Sequence, residues 1–373
     1  MGILIKNCLL LDGVNYLEPT AKDILIQKNI ISKILSPNQA LEENIEEVID
    51  LENNIITPGL MDLHVHSSNG YAKIGCMPDI IGINIGTTSI FDAGTYGADT
   101  FEYFYENIIK KSTTKVYAWL NVASCGLTTL SELTDMNNID EQKITHIVNK
   151  YKDIIVGLKV RASGSVVGEN GIKPVIKAKE IAQKLNLPIM VHIGNPPPYV
   201  DDVLNLLTKG DVVTHCYHNK KEALYEEAII RESALRAKQR GVLFDVGHGI
   251  ASFSFDTARN MIERGFSPDF ISTDVYDKNL DKPVKSQLYV ISKLMVCGLS
   301  FADCVVKTTS DIARKFNIKN TGELKEGYVA DLTIIKIKNI NNKVEDSVGT
   351  QLDSNVYLQH KGVFINGQYK RQI

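Results

Sequence analysis

Apolar runs alternate with amphipathic stretches of helical period through the middle of this chain. The strand-like runs cover residues 55–66, 87–92, 115–121, 154–160, 188–192, 211–215, 242–245 and 270–273. The helical stretches cover 101–111, 141–151, 174–185, 200–207, 222–240, 256–264 and 285–296. This alternation is the sequence signature of βα units around a parallel sheet. Eight such strands predict an α/β fold, a closed (β/α)8 TIM barrel.

The two ends of the chain have a different pattern. Short strand-like runs occupy 2–11, 23–27, 30–35 and 47–50, and the pattern returns at 330–335 and 361–365. A length of 373 residues allows one large and one small domain. We therefore predict a small composite β-sandwich domain from residues 1–54 and 320–373, and a barrel domain over 55–319.

Composition narrows the classes of function. The chain is 44% apolar and 23% charged, with a formal charge of −3 and no basic block, which argues against binding to nucleic acid or an anionic membrane. No window approaches the roughly 20 apolar residues of a membrane span, and the first residues lack a secretory apolar region. We expect a cytoplasmic protein whose partner is a small-molecule substrate bound in a pocket.

Ionisable residues end several of the predicted strands. Functional side chains of such barrels lie at the carboxyl ends of the strands. The first strand ends in His64 and His66, which point the same way because side chains alternate along a strand. Later strands end in Lys159, His192, His215 and Asp274. Each residue alone could be a buried hydrogen-bonded group or a helix cap, but together they predict a metal centre on one rim.

Lys159 is the unusual member of this set, since an ammonium group cannot bind a metal. Its burial without a carboxylate partner would be costly or would lower its pKa. Carboxylation by carbon dioxide would convert the side chain into a carbamate able to bridge two cations. The alternative interpretation is an ion pair with an acid such as Asp92.

On these residues the chain resembles the amidohydrolase superfamily of metal-dependent hydrolases. The first motif is PGLMDLHVH at 58–66, and the order of Lys159, His192, His215 and Asp274 matches the subgroup with two metals and a carboxylated lysine. The bacterial amidohydrolase/deacetylase branch is similar in four motifs: GLKVRAS at 157–163, VHIGN at 191–195, THCYH at 214–218 and FDVGHG at 244–249. The motif GELKEGYVADL at 322–332 resembles the superfamily's return into the composite β domain.

The resemblance implies two divalent metal ions, expected to be zinc, with manganese or iron as the alternatives. It assigns the more buried ion to His64, His66 and Asp274, the more exposed ion to His192 and His215, and a bridging role to carboxylated Lys159. A hydroxide shared by the metals would be the nucleophile. Asp274 would then act as general base and general acid.

The activity implied by the resemblance is hydrolysis of an amide or ester bond. Removal of an acyl group from a small N-acyl amino acid or O-acyl hydroxy acid is the leading hypothesis. A cyclic amidohydrolase is the alternative, followed by a deaminase and a non-enzymatic scaffold. Ser68 stands where dihydroorotase-like and hydantoinase-like enzymes carry arginine, and Asn195 stands where one-metal deaminases carry glutamate. Relatives of this kind are commonly dimers or larger, so a homo-oligomer is expected.

Candidate substrate contacts lie on the same rim. Arg161 follows Lys159 by two residues and could bind a substrate carboxylate, or it could form a structural pair with a nearby acid. The other candidates could stabilise an oxyanion, contact the substrate or hold a loop: His218, His248, Asn195, Ser163 and Tyr96.

Overall fold

The computed structural model describes residues 2–372, and its central element is a parallel sheet of seven strands. In this sheet each strand pairs with its neighbours in sequence, in the order expected of consecutive βα units. The strands are Leu60–Val65, Thr87–Gly97, Lys115–Asn121, Ile155–Ala162, Ile189–Ile193, Val212–Thr214 and Leu243–Asp245. The predicted mixed α/β fold is confirmed.

Helices follow most of these strands. Lys173–Leu185 shows why they form: its apolar residues recur every three or four positions, a proline lies in its first turn, and Asn186 ends it in the left-handed region. None of the helices within residues 2–372 has the length and apolar character needed to cross a bilayer. The helices are Pro78–Ile81, Phe101–Asn107, Glu141–Lys150, Gly164–Val167, Lys173–Leu185, Val200–Leu206, Glu232–Gln239, Phe255–Glu263, Gln287–Val296, Phe301–Lys307 and Ser310–Lys315.

The seven-stranded sheet curls until its two edges meet one segment. Phe270 forms a bridge to Asp245 on the last strand, and Val275 forms a bridge to Val65 on the first. We call the sheet barrel-like for this reason. The predicted strand at 270–273 makes only isolated bridges, because the Asp62 carboxylate accepts hydrogen bonds from both the backbone N–H and the hydroxyl of Thr273.

The ends of the chain form a second sheet of eight strands, with both parallel and antiparallel pairs. The predicted sandwich is not confirmed, because these strands are hydrogen-bonded into a single sheet. Its strands are Gly2–Leu10, Thr20–Gln27, Ile30–Leu35, Glu47–Asp50, Ile55–Pro58, Leu332–Glu345, Gln351–Ile365 and Gln368–Arg371.

The run predicted as one strand at 55–66 is divided between the two sheets. Ile55–Pro58 pairs with strands from both ends of the chain, whereas Leu60–Val65 begins the barrel-like sheet. A Cβ atom at Gly59 would lie 2.2 Å from Thr88 Oγ1, so only glycine fits where the chain crosses. The crossing leads directly into the strand that carries His64.

The core below the carboxyl ends of the strands is densely packed. Trp119 is fully buried, its ring meets Phe316 edge-on at 5.3 Å, and its Nε1 donates to the Leu63 carbonyl at 3.2 Å. These contacts give the site above them a rigid floor.

Candidate active site

Three of the predicted metal ligands lie together at the end of the first strand and in the 270–275 segment. Nε2 of His66 lies 3.2 Å from Asp274 Oδ1, and Nε2 of His64 lies 3.4 Å from the same oxygen. One ligand atom from each of the three residues lies within 4.8 Å of the other two. Ligands bound tetrahedrally to zinc at about 2.0–2.2 Å are about 3.3–3.6 Å apart, so this spacing suits a shared ion.

Hydrogen bonds orient both imidazoles of the first strand. The Thr214 hydroxyl donates to Asp245, at 2.7 Å, and therefore accepts from Nδ1 of His64, at 2.8 Å. Nδ1 of His66 lies 2.9 Å from Thr95 Oγ1. Nδ1 is thus engaged on both rings and Nε2 faces the cluster, as expected of metal-binding histidines held by outer partners.

His215 presents a buried lone pair without a partner. Its Nδ1 donates to the Gly247 carbonyl at 2.6 Å, so Nε2 is the unprotonated nitrogen. This Nε2 is buried and has no hydrogen-bond partner, and Asp274 Oδ1 is likewise buried without one. The His215 ring lies 5.1 Å from that of His64 and 4.3 Å from that of His192, between centroids. Orphaned acceptors in such a cluster suit cation binding.

Lys159 contacts the cluster through its amine. The side chain is buried, and Nζ lies 3.1 Å from His64 Nε2 and 3.4 Å from Met190 Sδ. Burial lowers the pKa of Lys159 to about 7, although the charges of Asp274 and Asp245 oppose this shift. Within residues 2–372 the predicted alternative, an ion pair with Asp92, is not formed.

Two of the predicted ligands have left-handed backbone conformations. His215 has φ of 70° and Asp274 has φ of 51°. Non-glycine residues rarely adopt this region, and such strain concentrates at functional sites. At Gly249 a Cβ atom would lie 2.5 Å from Asp274 Oδ2, so the loop after the seventh strand approaches this carboxylate closely.

Arg161 is paired with an acid. Its Nη1 lies 3.1 and 3.0 Å from the two carboxylate oxygens of Glu132, which is fully buried. Burial raises the pKa of Glu132, and the Arg161 charge opposes that shift. The structural pair considered for Arg161 is therefore present, and its side chain is 19% exposed.

The two candidate histidines on rim loops, His218 and His248, form hydrogen bonds to other residues of the chain. Lys293, which is fully buried, donates from Nζ to His248 Nε2 at 2.8 Å and to the Pro283 carbonyl at 2.5 Å. The opposite nitrogen of His248 lies 2.9 Å from the Gly249 carbonyl oxygen. His218 is fully buried and accepts at Nδ1 from a backbone N–H, at 3.1 Å. His248 is thus held at both ring nitrogens, whereas Nε2 of His218 is buried without a hydrogen-bond partner.

The remaining candidates differ in exposure. Tyr96 is buried, stacks on Phe104 at 4.3 Å and lies 3.4 Å from Ser68 through its hydroxyl. Ser163 is 9% exposed, whereas Asn195 is exposed and thus free to meet a ligand.

Sequence reasoning assigned no role to several residues that support the site. Thr95, Thr214 and Asp245 hold the imidazoles, and Glu132 holds Arg161. Thr214 and Asp245 lie within the motifs THCYH and FDVGHG, next to candidate site residues, and this position could have indicated that they support the site.

The fold and the site together define an α/β barrel-like protein with a cluster of side chains that could hold a metal ion at the carboxyl ends of its strands. A profile of the amidohydrolase family matches residues 55–369. The chain belongs to this family, and it is a hydrolase acting on carbon–nitrogen bonds other than peptide bonds.

Named relatives and solved structures agree on the family and differ in their activities. A protein named deacetylase from Enterococcus faecalis is 34% identical over 341 residues, covering 90% of this chain and 92% of that protein. Another from Brucella anthropi is 36% identical over 341 residues, covering 90% and 84%. A crystal structure titled as an adenine deaminase has a TM-score of 0.92 at 32% identity, covering 99% of both chains. One titled as a dihydroorotase has a TM-score of 0.91 at 33% identity, covering 99% and 97%.

The Thr214 hydroxyl offers a test of how the site is held. Thr214→Val keeps the side-chain shape but leaves His64 Nδ1 and Asp245 without their shared partner. We expect zinc affinity to fall about 10–100-fold, as for other outer partners of metal-binding histidines. Competition with a chelator measures it. Thr113→Val, at an exposed position, is the matched control; equal zinc affinity in both variants would contradict the expectation.

Proposed function

We propose that this protein is a metal-dependent deacylase that removes an acyl group, such as acetyl, from a small N-acyl amino acid or O-acyl hydroxy acid. The observation that carries this proposal is the cluster of His64, His66 and Asp274, with buried acceptor atoms that lack partners. The relatives named deacetylase support the acyl specificity. We further propose that the curled sheet functions as a closed eight-fold barrel, with segment 270–275 in the place of the last strand.

The proposed metal ligands follow from the donor set. His64, His66 and Asp274 would hold one divalent ion, and His192 and His215 would hold a second. Imidazole and carboxylate donors suit zinc. Such ions supply Lewis acidity and lower the pKa of water near them.

Asp274 carries the proton transfers in this proposal. Its carboxylate is 14% exposed, so it meets both the buried cluster and the solvent-facing mouth of the site. It would take a proton from the attacking water and deliver it to the leaving nitrogen or oxygen. The close approach of Gly249 limits where this carboxylate can move.

Lys159 would act as a carbamate. Because burial lowers its pKa to about 7, part of the amine is unprotonated near neutral pH. The Nζ lone pair would attack the carbon of carbon dioxide, and loss of one proton would leave an N-carboxylate. Two oxygens that share one negative charge would then lie among His64 and its neighbours, where the uncarboxylated side chain offers no oxygen ligand.

A cyclic amidohydrolase is the second candidate, and the similarity to a structure titled as a dihydroorotase favours it. Ser68 argues against it, because a serine hydroxyl cannot form the bidentate contacts of an arginine. The Ser68 hydroxyl is also engaged, accepting hydrogen bonds from the backbone N–H groups of Gly70 and Ala72.

An activity screen tests the proposal. The zinc-loaded protein, with bicarbonate present, is assayed against N-acyl amino acids and O-acyl hydroxy acids of both configurations, and also against dihydroorotate, hydantoins and adenine. We expect acid release from at least one acyl compound and loss of that activity after chelation. Turnover of the cyclic compounds or adenine without any acyl hydrolysis would overturn the proposal.

A further inference from the structure

Lys220 lies in the loop after the sixth strand, five residues beyond His215. It is half-buried, and its Nζ donates to Ser252 Oγ at 3.2 Å. Ser252 is itself buried in the loop after the seventh strand. The backbone N–H of Lys220 donates to the buried His218, so the loop is fixed at its base as well. The ammonium group is therefore held in a defined place between two rim loops.

The Lys220 charge acts on the candidate metal site. Burial lowers the pKa of Lys220, and the Asp274 carboxylate opposes that shift. His192 and His215 both have pKa values lowered by burial first, and the Lys220 charge contributes to each shift. Geometry agrees with these directions. Lys220 lies in the loop that begins after His215, and its partner Ser252 lies in the loop of Gly249, where a Cβ atom would be 2.5 Å from Asp274 Oδ2. The ammonium is therefore held between two rim loops that adjoin the proposed ligands of both ions.

Within residues 2–372 the structure gives Lys220 no ion pair, and Ser252 is the only side chain bonded to its Nζ. Arg161, by contrast, forms an ion pair with Glu132, with 3.0 Å between Nη1 and a carboxylate oxygen. A half-buried cation whose hydrogen-bond partner is a neutral hydroxyl loses hydration that the more distant Asp274 charge offsets only in part, since the pKa of Lys220 is still lowered. An incoming anion would offset the remaining loss, so Lys220, which has no ion pair, is the cation of the two with the greater capacity to bind one.

We propose that Lys220 binds the carboxylate of the substrate, with Ser252 holding the ammonium in position. This inference rests on the proposed deacylase function and specifies its substrate class. In an α-acylated acid only two atoms separate the acyl carbon from the carboxylate carbon. A cation close to the ligands of the second ion therefore suits α-N-acyl and α-O-acyl acids, and it disfavours uncharged acyl compounds.

The test compares acids with their neutral amides. The probes are O-acetylglycolate against O-acetylglycolamide and N-acetylglycine against N-acetylglycinamide, assayed with the zinc-loaded protein. Lys220→Met should lower the acid-to-amide ratio of kcat/KM about tenfold to a hundredfold, mainly through KM for the acid, because charged hydrogen bonds carry that much affinity. Lys220→Arg should restore part of the ratio. Metal content should match the wild type, which separates anchoring from ligand loss.

Two controls make the outcome specific. Lys221→Met removes the neighbouring exposed lysine and should leave the ratio unchanged. The double variant Arg161→Met/Glu132→Gln removes the other cation without leaving a buried charge. The proposal is overturned if Lys220→Met keeps the wild-type ratio, or if only the double variant lowers it.

Failure of the deacylase function would look different, because the wild type would hydrolyse none of the four probes. In that case the affinities of the protein for glycolate and for glycolamide, measured by calorimetry, decide the role of Lys220. Preferential binding of glycolate that is lost in Lys220→Met supports the anchor. Equal preference in both proteins overturns it.

Discussion

His64→Ala should remove the more buried of the two proposed metal ions and lower kcat/KM by more than about a hundredfold. Loss of a mere outer partner of a metal ligand already costs about 10–100-fold in affinity or activity. A larger effect is expected at His64, because its Nε2 itself contacts Asp274 and Lys159 within the cluster. Elemental analysis of protein prepared without chelators, together with steady-state kinetics, measures both effects.

The fold should survive this substitution, because the strand carrying His64 pairs with Thr87–Gly97 on one side, bridges Val275 on the other and has buried neighbours. His146→Ala, on the exposed face of Glu141–Lys150, is the matched control and should keep wild-type metal content and turnover. A folded His64→Ala protein with full metal content and full activity would contradict the assigned role.

The family, the hydrolase class and the mixed α/β architecture could be predicted because they rest on patterns that local physics produces. A parallel sheet covered by helices needs apolar strands, and polar side chains are then concentrated where those strands end. His64, His192 and His215 end otherwise apolar runs for this reason. Their roles as ligands remain predictions, but the geometry brings their rings together.

The outer partners were not predictable because their sequence signal is ordinary. Thr95 and Thr214 lie in or next to strands, where threonine is common for its β-propensity alone. Only the three-dimensional register shows that Thr214 stands between His64 and Asp245. A threonine that orients a ligand and one that merely suits a strand have the same appearance in a single sequence.

Loop residues escaped prediction for a different reason. Glu132 and Lys220 lie in connections without periodicity, and the path of such a loop is decided by its contacts. The run HNKKE at 218–222 has the composition of a solvated turn. The path of this loop and the direction of the Lys220 side chain depend on hydrogen bonds to the buried imidazole of His218 and to Ser252, which lies 32 residues after Lys220.

The segment predicted as a strand at 270–273 is less regular than expected, and the predicted sandwich is not confirmed. Alternating apolar residues cannot reveal that the Asp62 carboxylate takes the N–H and hydroxyl of Thr273, which then join no ladder. Similarly, strand-like runs at both ends of a chain specify strands, and the number of sheets depends on their pairing.

Asp274→Asn should keep the fold and lower kcat about 10²–10⁴-fold, the usual contribution of general acid–base catalysis. Asparagine is the appropriate replacement because the residue has φ of 51°, a conformation that asparagine tolerates and alanine does not. The amide retains an oxygen that can face His66 but cannot accept and return a proton. Asp277→Asn, three residues later and exposed, is the matched control. A fall in kcat with zinc content near that of the wild type would show that Asp274 chiefly transfers protons. A parallel loss of kcat and zinc content would show that it is chiefly a metal ligand. An unchanged kcat would exclude both roles.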